Sequence, residues 1–327
     1  MKTDTSDKII EYIDEKGQST AKDLTNYLGI SSQALFKQLA KLLKNEKIYK
    51  IGKPPKVFYY LNKKLPKFDI EVAKIDKKTK KILEDSFLTI TPAGERKEGA
   101  DGFAFWCQKT NQPIEKTAKE YVRTLKKYNS FKKNGVIDGI KKLKSSFPKI
   151  YLDHIFYLDF YSIERFGKTK LGQMLLYAKQ SQNKVLIKEL ILDIEPKMQQ
   201  LIKKYGINAV GFIPPTVKRE IQFMKELENN SLLHIPKIKI IKIKTEVTVP
   251  QKTLNKLDDR IENAQKTFIV DGGQKYKNIL LVDDAVGSGA TLNEIASQIK
   301  KMGLCQNKII GLAITGSFKG FDVISEV

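Results

Sequence analysis

The spacing of apolar positions changes along the chain, and the changes divide it. Near the N-terminus the period is helical. Ile9, Ile10 and Ile13 share one face of a helix predicted over 6–15, and Gly17 follows as its stop. Ser19-Thr20 predicts the cap of a short helix with Leu24 and Leu28 four apart, and Gly29 the turn after it. Ser31-Ser32 caps a third helix, in which Leu35, Leu39, Leu42 and Leu43 make a stripe at i, i+4, i+7 and i+8. The pattern then becomes strand-like. Ile48–Ile51 and Val57–Leu61 flank Gly52-Lys-Pro-Pro-Lys56, which predicts a β-hairpin.

Residues 151–327 alternate apolar strand-like runs with helical stretches, the pattern of an α/β domain. Ile279 to Val282 is fully apolar, as a buried parallel strand requires. Asp283 and Asp284 follow at its carboxyl end, then the small-residue loop Ala285, Val286, Gly287, Ser288, Gly289, Ala290. Thr291 opens a helix with Leu292, Ile295, Ala296 and Ile299 inward and Gly303 at its end, and Lys308–Ile314 is the next strand. This is a βαβ unit with its polar chemistry where such sheets bind ligands. The Lys/Ile alternation of Lys237–Lys244 predicts a further strand with one apolar face.

Between these parts, residues 65–150 are lysine-rich, with a loop-like stretch over Thr91–Gly102 and a helix predicted over Pro113–Tyr128. Phe103, Phe105 and Trp106 read as a small core or docking surface, with a stacking platform for single-stranded nucleic acid as the alternative. Cys107 reads as a small buried residue. The expected organisation is therefore 1–64, 65–150 and 151–327.

Composition narrows the classes. A chain of 327 residues with 41% hydrophobic content and mean hydropathy −0.36 has enough apolar material for real cores, which excludes a wholly disordered or collagen-like protein. No run of 18 apolar residues and no signal-peptide pattern is present, so a cytoplasmic protein without membrane contact is expected. Two cysteines exclude a disulfide framework or a four-cysteine zinc site. His154 and His234 are isolated, which supports neither a metal pair nor a histidine-based triad. The 59 basic and 37 acidic residues give +22, which invites a polyanion partner. Only Arg96, Arg123, Arg165, Arg219 and Arg260 are arginines, and the excess is spread over all three regions, so total charge selects no partner.

The chemistry of 283–291 is more specific. Glycines let backbone N–H groups crowd a phosphate, and a helix N-terminus favours the anion. Ser288 and Thr291 add hydroxyls. Asp283 and Asp284 suit sugar hydroxyls, since they would repel a phosphate. A phosphorylated ribose satisfies both requirements. A Walker loop needs a lysine that is absent here, and a dinucleotide fingerprint needs glycine where Leu292 stands.

The same stretch, strand, Asp283-Asp284, Gly287-Ser288-Gly289 and Thr291, closely resembles the phosphoribosyl pyrophosphate (PRPP) motif of type I phosphoribosyltransferases, with Gly-Ser-Gly where Thr-Thr-Gly is usual. Val249-Pro-Gln-Lys-Thr-Leu254, Arg260, Asn263 and Phe268 resemble the flexible hood of the ComF family within that group. Ala209 to Arg219 resembles its strand and pyrophosphate-side loop, with Arg219-Glu-Ile-Gln222 where the family shows Arg-Gly-Phe-Asn. Tyr177-Ala-Lys179 faintly resembles a lysine-bearing segment of that family and is assigned no role.

The resemblance implies a parallel sheet flanked by helices that binds PRPP or a nucleotide. Asp283, Asp284, Ala285, Val286, Gly287, Ser288, Gly289, Ala290 and Thr291 would hold the ribose phosphate. Pro215, Thr216, Lys218 and Arg219 would lie on the pyrophosphate side, and Gln251, Arg260 and Asn263 in the hood. Mg²⁺ would enter through PRPP, with no direct protein ligand.

Three helices followed by a hairpin resemble the winged helix-turn-helix family, which stands here where ComF proteins commonly carry a cysteine-rich zinc module. That resemblance implies double-stranded DNA as partner, with Ser32, Gln33, Phe36 and Lys37 facing the groove and Lys50, Lys53 and Lys56 on the wing. Single-stranded DNA, a homodimer and a purely protein-binding winged helix remain alternatives. The two-domain order resembles the winged-helix purine repressors that sense PRPP. Two functions follow, a DNA-associated ligand sensor or competence-type ComF relative, and an active phosphoribosyltransferase.

Overall fold

The computed structural model describes residues 4–62, 75–243, 249 and 253–318. The chain divides into two compact units, Met1–Ile70 and Glu71–Val327.

The first unit contains α1 (Thr5–Lys16), β1 (Ser19–Thr20), α2 (Ala21–Leu28), α3 (Ser32–Lys44), β2 (Ile48–Lys53) and β3 (Lys56–Leu61). Side chains define the helix starts. Thr20 Oγ1 accepts from the Asp23 amide while the Asp23 carboxylate accepts from the Thr20 amide, a reciprocal cap for α2. Ser31 Oγ accepts from the Ala34 amide to start α3. The strands pair antiparallel in the order β1-β3-β2, and β2 and β3 turn through Pro54-Pro55. The α3 stripe does the packing expected of it. Leu35, Leu39 and Leu42 are buried with Ile9, Ile13, Leu24, Ile48 and Tyr59. Leu43 stays at the margin.

The second unit opens with α4 (Lys77–Ser86), β4 (Leu88–Ile90), β5 (Arg96–Glu98), α5 (Gly99–Lys109), α6 (Ile114–Asn129), β6 (Lys132–Lys133), β7 (Val136–Asp138) and α7 (Ile140–Ser146). It continues with β8 (His154–Phe160), α8 (Lys170–Ser181), α9 (Lys184–Tyr205), β9 (Ala209–Phe212), α10 (Phe223–Asn230) and β10 (Lys239–Lys242). It ends with α11 (Leu257–Thr267), β11 (Phe268–Asp271), β12 (Tyr276–Val286), α12 (Ala290–Lys301) and β13 (Cys305–Gly316).

The main sheet has six strands in the order β6-β7-β8-β13-β12-β9. Its last four are mutually parallel, and β7 and β6 join antiparallel. Residues 132–138, from the lysine-rich region, thus extend the sheet, and residues 75–150 pack within the second unit.

The apolar run in β12 is explained by what covers its two faces. Ile279 and Leu281 face the cluster that holds Leu292, Ile295, Ala296 and Ile299 of α12. Leu280 and Val282 face the cluster built on α8 and α9. All four strand residues are fully buried, so alternation disappears from the sequence. Phe103 and Trp106 belong to an aromatic cluster with Phe87, Tyr121 and Phe166, a core role rather than an open platform. Cys107 is buried, and that burial pushes its thiol up to about 12. Among the described residues no helix is long and apolar enough to cross a membrane.

Candidate functional site

The carboxyl end of β12 brings the sequence motif to one side of the sheet. The strand continues through the acidic pair to Val286, further than the apolar run alone predicts. α12 then starts at Ala290 with Gly289 as its N-cap. Gly289 adopts φ 80°, and a Cβ there would approach Leu143 Cδ1 to 2.6 Å, so both backbone and space call for glycine. Ser288 is buried, and its Oγ accepts from the Ala290 amide at 3.3 Å. The site thus consists of a tight turn feeding a twelve-residue helix N-terminus, flanked by two carboxylates.

A cavity of about 160 Å³ opens at this turn. Its wall includes every residue from Asp283 to Leu292, so all nine positions assigned to the ribose phosphate line it. Pro215, Thr216 and Arg219 line it as well. Lys218 is exposed and is not among the lining residues. Its neighbour Arg219 is only partly exposed and does line the cavity. Gln222 braces this loop, since its Nε2 donates to Val217 O at 3.0 Å and Arg219 O at 3.2 Å. The Lys242 ammonium also donates to Thr216 O.

Of the hood residues, Arg260 of α11 lines the cavity. It is buried, its Nε donates to Leu254 O at 2.8 Å, and burial lowers its pKa from the ordinary arginine value. Asn263 lies outside the cavity wall, its Nδ2 donating to Val249 O at 3.3 Å. Gln251 falls outside the described residues.

The electrostatics turn on a residue to which the sequence assigned no role. Lys179, in the last turn of α8, lines the cavity and places its Nζ 2.6 Å from Asp284 Oδ2. The Asp284 amide donates to Asp283 Oδ1 at 2.8 Å. Asp283 has the weaker compensation. Burial first, and the adjacent Asp284 charge second, raise its pKa to about 8 against the opposing effects of that amide and of Lys179. The available signal for Lys179 was the Tyr177-Ala-Lys179 segment. Among the described residues, no group of three or more His, Cys, Asp or Glu is placed to hold a metal ion.

In the first unit, Ser32, Gln33, Phe36 and Lys37 are all exposed on α3, opposite its buried leucines. Phe36 is 53% exposed, as are Tyr27 and Ile51 of the same unit at 52% each. Lys50 and Lys56 are exposed on the hairpin, whereas the side chain of Lys53 lies outside the described residues.

No protein-family model matches the chain. Over 83 residues it is 32% identical to Competence protein F of Haemophilus influenzae. That stretch is 25% of this chain and 36% of the relative, so the chain spans little more than a third of the length of the curated protein it matches. The match supports a distant ComF-like relationship.

Proposed function

We propose that the second unit is a phosphoribosyltransferase-like domain that binds PRPP or a nucleotide, and that the first is a winged helix that binds double-stranded DNA. The observation that carries the ligand reading is the shared cavity. Two carboxylates suited to a ribose diol, a helix N-terminus suited to a phosphate, and the cations Arg219 and Arg260 all line it. The exposed side chains on α3 and the lysines of the hairpin support the DNA reading, and the likeness to a protein named for competence points the same way. The two activities together describe a DNA-associated ligand sensor or a competence-type relative.

Mg²⁺ fits this site as part of the ligand. The wall offers two carboxylates, and Asp284 is already paired with Lys179, a poor donor set for a protein-bound divalent ion. On the diphosphate oxygens the ion would supply charge neutralisation. Calorimetry of PRPP with Mg²⁺ tests the reading. Binding by the wild type that is lost in Asp283→Asn/Asp284→Asn supports it, and no binding by the wild type refutes it. Loss of duplex binding on adding PRPP would identify a sensor.

One observation favours a second reading, an active phosphoribosyltransferase. The hood-like helix α11 brings Arg260 into the cavity wall, where a guanidinium would stabilise charge on a leaving pyrophosphate. Release of pyrophosphate from PRPP in the presence of free nucleobases would establish that activity.

A further inference from the structure

Lys179 is the least expected member of the cavity. Lysine is seldom buried without a partner, and this one is 10% exposed beside an aspartate that is 17% exposed. Its ammonium touches Asp284, whose amide in turn holds Asp283 Oδ1, so the three residues form one linked chain. Without that ammonium the Asp284 carboxylate would stand uncompensated, would repel an incoming phosphate and would oppose ionisation of Asp283 still further. The other basic groups on the cavity wall are Arg219, from the loop after β9, and Arg260, from α11, whose Nε is held by Leu254 O. The ammonium 2.6 Å from Asp284 makes Lys179 a local counter-ion of the pair.

We infer that Lys179 is a positioning residue that fixes the Asp284 carboxylate on the cavity wall, so that the acidic pair is set to accept a vicinal diol before the ligand arrives. The inference rests on the sugar-phosphate reading above and deepens it, because it predicts a preference for ribose over deoxyribose that depends on the Lys179–Asp284 pair. Lysine in this role acts through aspartate. It contributes little to a ligand that lacks the 2-hydroxyl, and nothing once Asp284 has been neutralised.

The test is calorimetry with ribose 5-phosphate and 2-deoxyribose 5-phosphate on the full chain. Wild type, Lys179→Met, Lys179→Arg, Asp284→Asn and the double variant Lys179→Met/Asp284→Asn are compared. Losing a hydrogen bond to a charged acceptor predicts that Lys179→Met weakens ribose 5-phosphate by about 10-fold or more and the deoxy sugar by less than about 2-fold. Lys179→Arg should recover most of the loss, and the double variant should bind no worse than Asp284→Asn alone. Equal weakening of both sugars would mean that Lys179 meets the phosphate directly and would overturn the inference. So would unchanged binding, or losses that add in the double variant. Wild type that binds neither sugar would overturn the sugar-phosphate reading and this inference with it, an outcome visible before any variant is made. If Lys179→Met does not fold, the double variant, which strands no charge, still gives the comparison with Asp284→Asn.

Discussion

Asp283→Asn should make the second unit's stability less sensitive to alkali, and the size of the change follows from the environment of that carboxyl. In the folded chain, burial and the neighbouring Asp284 charge lift Asp283 to about 8, whereas an unfolded aspartate titrates near its ordinary value. Between those two values the folded chain keeps a proton that the unfolded chain has released, so raising the pH favours unfolding. The penalty is absent below the unfolded value, grows across the interval and is complete above the folded one. A single group contributes a slope of at most about 1.4 kcal/mol per pH unit. Water entering the open side of the cavity reduces it, and a total of about 1 kcal/mol between roughly pH 5 and pH 7 is the smallest effect consistent with the argument. The chain's single tryptophan, Trp106, packs against Phe87, Phe103 and Phe166 in the second unit, so its fluorescence reports that unit's urea transition. The stability of Asp283→Asn minus that of wild type should rise with pH over this range and level off only above about pH 8. A difference that is flat, or that falls, would refute the placement of Asp283 as an enclosed, undercompensated carboxyl.

Three further outcomes are expected. Gly289→Ala introduces a Cβ at φ 80° and 2.6 Å from Leu143 Cδ1, and should cost about 1–3 kcal/mol in the same urea assay. Asn278 is buried, with Nδ2 donating to Tyr205 O and Gly206 O and Oδ1 accepting from the Lys308 amide. Asn278→Leu strands those backbone groups, and a loss of at least about 2 kcal/mol of chemical stability is expected. Replacing exposed Lys37, Lys50 and Lys56 one at a time by glutamine should weaken duplex DNA similarly across sequences, and the slope of log affinity against log salt should fall by about 1 for each lysine that meets a phosphate. Unchanged slopes would count against these lysines as phosphate ligands.

The parts of the fold that were legible in the sequence are those where one short pattern decides the outcome. The α3 leucines repeat at helical spacing because a single face of that helix is buried, and Ser31 marks its start by capping it. The run Ile279–Val282 reads as a central strand because helices cover both faces of the sheet there. The ladder at the other edge was not legible. Lys132-Lys133 and Val136–Asp138 are too short to show a period, and an edge strand tolerates polar residues, so they read as part of a lysine-rich connector. The site divides in the same way. Asp283 through Thr291 are contiguous and carry their own chemistry, whereas Lys179 joins the site through an ion pair with an aspartate far along the chain. Lys218 and Arg219 were both expected on the pyrophosphate side, and only Arg219 lines the cavity, a difference between adjacent side chains that the sequence does not carry.

The net charge of +22 acquires a sharper meaning at the cavity. Arginine supplies only five of the chain's 59 basic residues, yet among the described residues two of the three cations on the cavity wall, Arg219 and Arg260, are arginines. A lysine-rich background would place lysines there if charge alone were needed. A planar guanidinium offers paired donors in a fixed fork, which matches the oxygens of a phosphate better than a flexible ammonium does. The one lysine present, Lys179, pairs with a carboxylate instead, where a compact point charge suffices. On the proposed reading the two arginines on the wall would meet the polyanion, while the Lys179 ammonium, paired with Asp284, would keep the acidic pair in place. The same reading would let a turn without a lysine of its own receive a phosphate. The cations come from the loop after β9 and from α11, and the turn itself contributes backbone N–H groups and the start of α12.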